Sequence, residues 1–297
     1  MGEAAPVLSI VVTTLGTRPE ELERLLGSIV GERVDGLEVI VVDQSPDQRA
    51  HRVAEAALMG SGLPLVHITS DRGASRGRNA GLTAAQGRVI TFPDDDAWYP
   101  RGGLTAMLGR MDADPTLDAL MFVARGSDGR ISSNRFARRA GPVRRHLVFR
   151  QGFASAMLFR TQAVRDVNGF DTDIGPGSRE PWGAGEEADI LLRLLAGGAT
   201  MRFDPTLFVH HEDPALTRDA MCERVRAYSR GVGYVIARNG VVVTHIPQLV
   251  ANPATGALVA TIRGQRDLRQ YRVVRMRAHA RGVLDGWRAG RAGRTDG

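Results

Sequence analysis

Lysine is absent from this chain: all 39 basic residues are arginine. That excludes chemistry built on a Schiff-base lysine or a P-loop lysine. A single cysteine, Cys222, excludes an internal disulfide framework and cysteine-rich metal sites. No apolar run approaches the roughly 18 residues that mark a membrane span. The first residues, Met1 to Pro6, are short and acidic rather than basic and apolar, unlike a secretory signal. The expected location is cytoplasmic.

The net charge of +6 is unevenly spread. Thr261 to Gly297 holds ten arginines and three aspartates, a net of +7, so the remainder is close to neutral. The basic character therefore belongs to the tail. This argues against a nucleic-acid-binding core and for a tail that meets something acidic, such as a membrane surface.

The first half alternates apolar runs with amphipathic segments. Leu8 to Thr14, Leu37 to Val42, Leu65 to Thr69 and Arg88 to Phe92 read as strands, bounded by turn residues and rich in β-branched side chains. Pro19 to Val30, Gln48 to Met59 and Ala74 to Ala85 read as helices, the first with Pro19 in its opening turn. Strand and helix at this spacing predict a mostly parallel α/β sheet flanked by helices.

The second half is less regular. Strands are expected within Ala119 to Ala124, Ser155 to Phe159 and Thr200 to His210, and helices over Thr161 to Val167, Glu186 to Ala196 and Arg218 to Arg238. Arg125 to Arg150 reads as a loop or hairpin. Gly169 to Gly185, with five glycines and two prolines, reads as a mobile loop. The last ~35 residues read as a basic helix with a frayed end. The expected division is a catalytic domain over residues 1–212 and a basic, mainly helical extension over 213–297.

In parallel α/β sheets ligands sit at the carboxyl ends of the strands. Three polar groups fall there: Thr13-Thr14, Asp43-Gln44-Ser45 and Asp94-Asp95-Asp96. Three adjacent carboxylates repel one another and favour a compensating cation, with hard oxygen ligands suiting Mg²⁺ or Mn²⁺. A solvated capping loop is the alternative for the triple aspartate. Glu186, Glu187 and Asp189 open a helix, where the dipole stabilises carboxylates, so capping competes there with a general-base role. His210 and His211 end a strand, as structural residues or with one of them as a metal ligand. Arg76, Arg78 and Asn79 lie at the start of the third helix, where cations and free N–H groups suit a diphosphate, or form a solvated basic face.

Taken together, the chain resembles the inverting glycosyltransferases of family 2, with the GT-A fold. The matching pieces are Ser9 to Thr14, Val41 to Ser45, Ser75 to Leu82, Phe92 to Asp96, Gly169 to Asp171 and Gly185 to Asp189, in that family's order and approximate spacing. The resemblance implies that Thr13, Asp43 and Gln44 line a nucleoside pocket and that Asp94 approaches the ribose. It implies a metal on Asp95, with Asp96 beside it and His211 or His210 closing the site. Glu187 would be the base, with Glu186 and Asp189 next in line, and Trp182 would shape an acceptor pocket. The donor would be a UDP-, dTDP- or GDP-linked sugar, and the acceptor a sugar or a lipid-linked molecule. The family commonly has a second acid where Gln44 stands, and usually Asp where Glu187 stands.

Two rivals accompany this reading. A nucleotidylyltransferase also joins an α/β sheet to a metal, but Leu15-Gly16-Thr17-Arg18 is a poor match to its basic glycine-rich loop. A non-catalytic sugar- or membrane-binding protein on a transferase scaffold is opposed by the acids at Asp95 and Glu187. For the tail, Arg263, Arg266, Arg269, Arg272 and Arg275 recur every three residues along one helix side. That pattern suits peripheral contact with the inner face of a membrane, and equally a solvated helix packed on the domain or a homodimer contact.

Overall fold

The computed structural model describes residues 6–32, 34–131, 136–212, 217–246, 249 and 251–292. Four strands, β1 (Leu8–Thr14), β2 (Leu37–Asp43), β3 (Leu65–Thr69) and β4 (Val89–Thr91), lie parallel in the order β3-β2-β1-β4. The apolar side chains of β1 and β2 are buried on both faces, as expected of strands covered by helices. Beyond β4 the sheet becomes mixed. It continues through β5 (Ala97–Trp98), β6 (Ala119–Arg125), β7 (Gly141–Pro142), β8 (Met157–Arg160) and β9 (Met201–His211). β8 runs antiparallel to both β4 and β6, β6 is parallel to β9, and β5 and β7 pair antiparallel with β9.

Helices α1 (Pro19–Val30), α2 (Arg49–Leu58) and α3 (Ala74–Ala84) connect the parallel strands. α1 shows how pattern becomes packing: Leu22, Leu25, Leu26 and Ile29, spaced i, i+3, i+4 and i+7, are its buried stripe. α4 (Gly103–Ala113) has no sequence-local cap. Its first N–H groups are held by the buried carboxylate of Glu32, which accepts from Gly102 at 2.6 Å and Thr105 at 3.3 Å. A second buried acid, Glu38, accepts from the Ser9 hydroxyl and from the Gln86 and Gly87 N–H groups, tying β1 and β2 to the turn before β4. Both acids are structural.

The remaining helices are α5 (Thr161–Asp166), α6 (Glu186–Ala196), α7 (Arg218–Arg238), α8 (Val242–Ile246), α9 (Asn252–Ile262) and α10 (Arg266–Ala292). The chain divides into two compact units: Met1–Phe170 with Ile190–Asp213, and Asp171–Asp189 with Pro214–Gly297. The second unit thus includes most of the glycine-rich segment. In it, Ala184 O would lie 2.0 Å from a Cβ at Gly231, so the segment rests directly on the α7 backbone. α7 and α10 meet through glycines in the same way. A Cβ at Gly282 would lie 2.0 Å from Arg230 O, and one at Gly286 2.4 Å from Tyr234 O. Arg230 Nε and Asp285 Oδ2, 2.8 Å apart, pin the crossing.

Glycine also sets how closely α3 approaches β1. A Cβ at Gly77 would meet Thr13 Cγ2 at 2.2 Å, and one at Gly81 would meet Val11 Cγ1 at 2.2 Å. Gly81→Ala should therefore destabilise the protein by about 1–3 kcal/mol through overpacking. That is opposite in sign to the gain of roughly 1 kcal/mol expected for Gly→Ala in an exposed helix. Urea denaturation reads the sign directly; unchanged or raised stability would show that α3 does not need this close approach.

Candidate active site

Parallel pairing brings the strand-end polar groups together. Thr14 is in register with Asp43, and Thr13 forms an isolated bridge with Asp94 just past β4. At this edge the three consecutive aspartates fan outward to separate partners.

Asp94 receives the Ser155 hydroxyl at 2.8 Å and lies 3.3 Å from Arg78 Nη2. Its own N–H donates to Ser155 Oγ at 2.9 Å. Asp95 is 4% exposed; it accepts from Thr14 Oγ1 at 2.6 Å and pairs with Arg18 Nη2 at 2.9 Å. Burial pushes its pKa up to about 6, against the pull of Arg18 and Thr14 and with the push of Asp96 and Asp94. Asp96 pairs with Arg18 and lies 3.3 Å from His211 Nε2. Burial raises its pKa, but His211 and Arg18 outweigh that and hold it below the usual carboxylate range.

Asp94, Asp96 and His211 each offer one ligand atom, and these atoms all lie within 4.8 Å of one another. Asp95, on which the resemblance puts the metal, is not among these three residues. Asp95 is turned inward onto Thr14 and Arg18, and its neighbours on either side face His211. Of the two histidines only His211 belongs to this cluster, and as successive residues of a strand the two point to opposite faces. β5 pairs Ala97 with His211 and Trp98 with His210. His211 reaches Asp96, whereas the His210 ring stacks on Trp98 at 4.8 Å, with Arg24 3.8 Å from the Trp98 ring centroid. Phe153 packs edge-on against the His211 ring at 5.1 Å.

The expected nucleoside and diphosphate residues divide into open and engaged groups. Asp43 is buried, accepting from the N–H groups of Ser45 at 2.8 Å and His51 at 3.2 Å. Gln44 clamps the loop after β3: its amide donates to Ser70 Oγ, Asp71 O and Gly73 O, and its Oε1 accepts from Gly73 N–H. Asn79 is likewise consumed. It donates to Phe170 O and accepts from Phe170 N–H, both at 2.8 Å. Arg76 is half-buried and donates to Arg72 O at 3.2 Å. The Thr13 hydroxyl is buried against Gly77, with no hydrogen-bond partner among the described residues.

In the second unit, the first turn of α6 carries Glu186, Glu187 and Asp189. Glu186 and Asp189 are buried, and Asp189 lies 3.3 Å from Asn239 Nδ2. Glu187 is the partly exposed one of the three. Trp182 stacks flat on Tyr234 at 3.7 Å, which covers one face of its ring.

Sequence reasoning missed Arg18 and Ser155. Arg18 was readable only as the residue ahead of a helix-opening proline, and Ser155 only as the start of a strand. Both become site residues because tertiary pairing delivers them to the aspartates.

The Glycosyl transferase family 2 model matches residues 9–167. The chain belongs to glycosyl transferase family 2. It is 29% identical over 221 residues to the pre-mycofactocin glycosyltransferase of Mycobacterium tuberculosis, covering 70% of this chain and 43% of that protein. It is 27% identical over 213 residues to the succinoglycan biosynthesis protein ExoU of Rhizobium meliloti, covering 67% and 60%. The matched region thus spans about half the length of these curated relatives. Among solved structures, the mannosyltransferase PcManGT from Pyrobaculum calidifontis, in complex with GDP-Man and Mn²⁺, aligns with a TM-score of 0.68 at 20% identity, covering 95% of this chain and 88% of that one. S. aureus TarS 1-349 in complex with UDP-GlcNAc aligns at 0.59 and 15% identity, covering 98% and 92%. The fold is GT-A.

The geometry yields a contrast between neighbouring residues. Asp96→Asn should weaken Mn²⁺ binding roughly 10–100-fold, while His210→Gln leaves it unchanged. Titration of Mn²⁺ followed by electron paramagnetic resonance measures both. Equal loss in the two variants, or none in Asp96→Asn, would remove the Asp94–Asp96–His211 cluster as the metal site.

Proposed function

We propose that the protein moves a sugar from a nucleotide-diphosphate donor to an acceptor hydroxyl, with inversion at the anomeric carbon. The observation that carries this reading is the Asp94–Asp96–His211 cluster at the carboxyl ends of parallel strands, in a chain of family 2. Neighbours of the same fold hold GDP-Man with Mn²⁺ and UDP-GlcNAc, which supports a nucleotide-sugar donor.

The donor set fits a divalent cation. Two carboxylates suit Mg²⁺ or Mn²⁺, and the imidazole nitrogen tilts the set toward Mn²⁺. When bound, the cation would supply positive charge beside the departing diphosphate. The chain's own residues do the rest. Arg76, Arg78 and the N-terminus of α3 orient the diphosphate, and Thr13 and Thr14 lie at the nucleoside end with Asp43. Gln44 and Asn79 serve by shaping that pocket, since their amides already bind the main chain. Arg18 holds Asp95 and Asp96 in place.

Glu187 acts as general base. A base must meet the acceptor, and of the three acids opening α6 it is the partly exposed one. Its carboxylate takes the acceptor proton as the acceptor oxygen bonds to the anomeric carbon. The sugar–phosphate bond breaks on the opposite face, and its electron pair leaves with the diphosphate. Trp182 contributes to the acceptor pocket. On this reading residues 1–212 form the catalytic domain and 213–297 a basic extension.

The product belongs to polysaccharide, glycolipid or glycoconjugate synthesis, in keeping with the relatives' names. Among the described residues no helix is long and apolar enough to cross a membrane. The enzyme works at the cytoplasmic face of a membrane on a sugar or lipid-linked acceptor, held peripherally through its C-terminal segment.

Glu187→Gln keeps size and packing but cannot take the proton. Transfer should fall by roughly 10²–10⁴, the usual range for a lost general base, with donor binding retained. Turnover near wild type, followed as nucleotide diphosphate released, would place the base elsewhere.

A further inference from the structure

α9 contains no ionisable side chain from Asn252 to Ile262. One side of it is spent on packing: Pro253 and Ala260 are buried, and Gly256 lies against the Arg272 side chain of α10. The other side is apolar and open. Leu258, Val259 and Ile262, at i, i+1 and i+4, are 62%, 43% and 77% exposed, and Leu268 follows at 40%. An uncharged helix with its largest apolar side chains outward is unusual for a surface helix, whose outer face is normally polar.

Exposed cations follow this patch along the chain. Arg263, Arg266 and Arg269 are exposed at the α9–α10 junction. Between Arg263 and Arg281 there are seven arginines against one acid, Asp267. Apolar side chains bordered by arginine suit an interface of acyl chains beneath anionic headgroups. A second copy of the chain suits it poorly, because a two-fold contact on this patch would set the arginines against their own copies.

We infer that α9 is the element that seats the protein on anionic lipid, with Leu258, Val259 and Ile262 entering the acyl boundary and Arg263, Arg266 and Arg269 meeting the headgroup phosphates. This rests on the reading that the enzyme works at a membrane face, and it names the contact. The basic pattern of α10 alone leads to an electrostatic surface association. The exposed face of α9 adds a hydrophobic component that salt does not remove. The contact would hold the enzyme beside a lipid-linked acceptor.

Co-sedimentation of the full chain with phosphatidylcholine vesicles, with and without phosphatidylglycerol, tests this. Wild type should pellet with the anionic vesicles and much less with the neutral ones. Leu258→Glu/Ile262→Glu should lower the partition coefficient at least tenfold. Arg263→Gln/Arg266→Gln/Arg269→Gln should lower it by up to about 100-fold at low salt, since each arginine near the surface contributes about fivefold. These positions are exposed, so unchanged circular dichroism and unchanged nucleotide-diphosphate binding confirm an intact fold. A wild type that ignores anionic vesicles would overturn both the membrane reading and this inference. Loss in the arginine variant with full binding by Leu258→Glu/Ile262→Glu would overturn the role of α9 and leave the electrostatic association standing. Self-association abolished by Ile262→Glu, with no vesicle binding, would assign the patch to a second copy instead.

Discussion

Asp94, Asp95 and Asp96 set three negative charges on consecutive residues at the end of a parallel strand, partly out of water. Burial and mutual repulsion both oppose such charges, and the surrounding chain is arranged to hold them. Arg18 comes from the β1–α1 connection, Arg78 from α3, Ser155 from the turn before β8 and His211 from the end of β9. Four separate segments therefore converge on one tripeptide. The contrast with Glu32 and Glu38 is instructive. Those buried acids are met by backbone N–H groups and a hydroxyl, and they knit elements together. The aspartates are met by the Thr14 and Ser155 hydroxyls and also by ionisable side chains, Arg18, Arg78 and His211, at a strand end where α3 also presents its N-terminus.

Close backbone approach is the second constraint, and glycine supplies it in both units. Gly77 and Gly81 let α3 lie against β1, which places the N-terminus of α3 beside Thr13 and Gln44. In the C-terminal unit Gly231, Gly282 and Gly286 let α7 accept the glycine-rich segment and α10. A chain with so many arginines builds a tight helix pair because backbone meets backbone there, leaving the long side chains to the outside. Leu258, Val259 and Ile262 of α9 lie outside this packing and are exposed.

Much of this was legible in the sequence. The strands β1, β2 and β3 and the helices α1, α3, α6 and α7 follow from apolar periodicity and from Pro19 at a helix start. The order of weak motifs gave the family. What escaped has physical causes. α4 was invisible because its cap is Glu32, some 70 residues earlier in the chain. β5 is two residues long and pairs with β9, setting Ala97 opposite His211 and Trp98 opposite His210. The family resemblance puts the metal on Asp95, which is not one of the three clustered residues. Its inward turn depends on Arg18 and Thr14, whose proximity is tertiary. Gln44 and Asn79 read as ligand contacts; in the fold the Gln44 amide bonds the Ser70 hydroxyl and the main chains of Asp71 and Gly73, and the Asn79 amide bonds the main chain of Phe170. α9 was overlooked because an uncharged stretch rich in Ala and Thr gives no amphipathic signal of its own.

The central claim is that the strand-end cluster is a metal-dependent nucleotide site. Thermal unfolding of the intact protein with nucleoside diphosphates, in Mn²⁺ or in EDTA, tests it most directly, because a ligand that binds the folded state raises its stability by mass action. The account predicts a rise in midpoint with at least one nucleoside diphosphate in Mn²⁺ that EDTA abolishes. An equal rise in EDTA, or no rise with any nucleoside diphosphate, would contradict it.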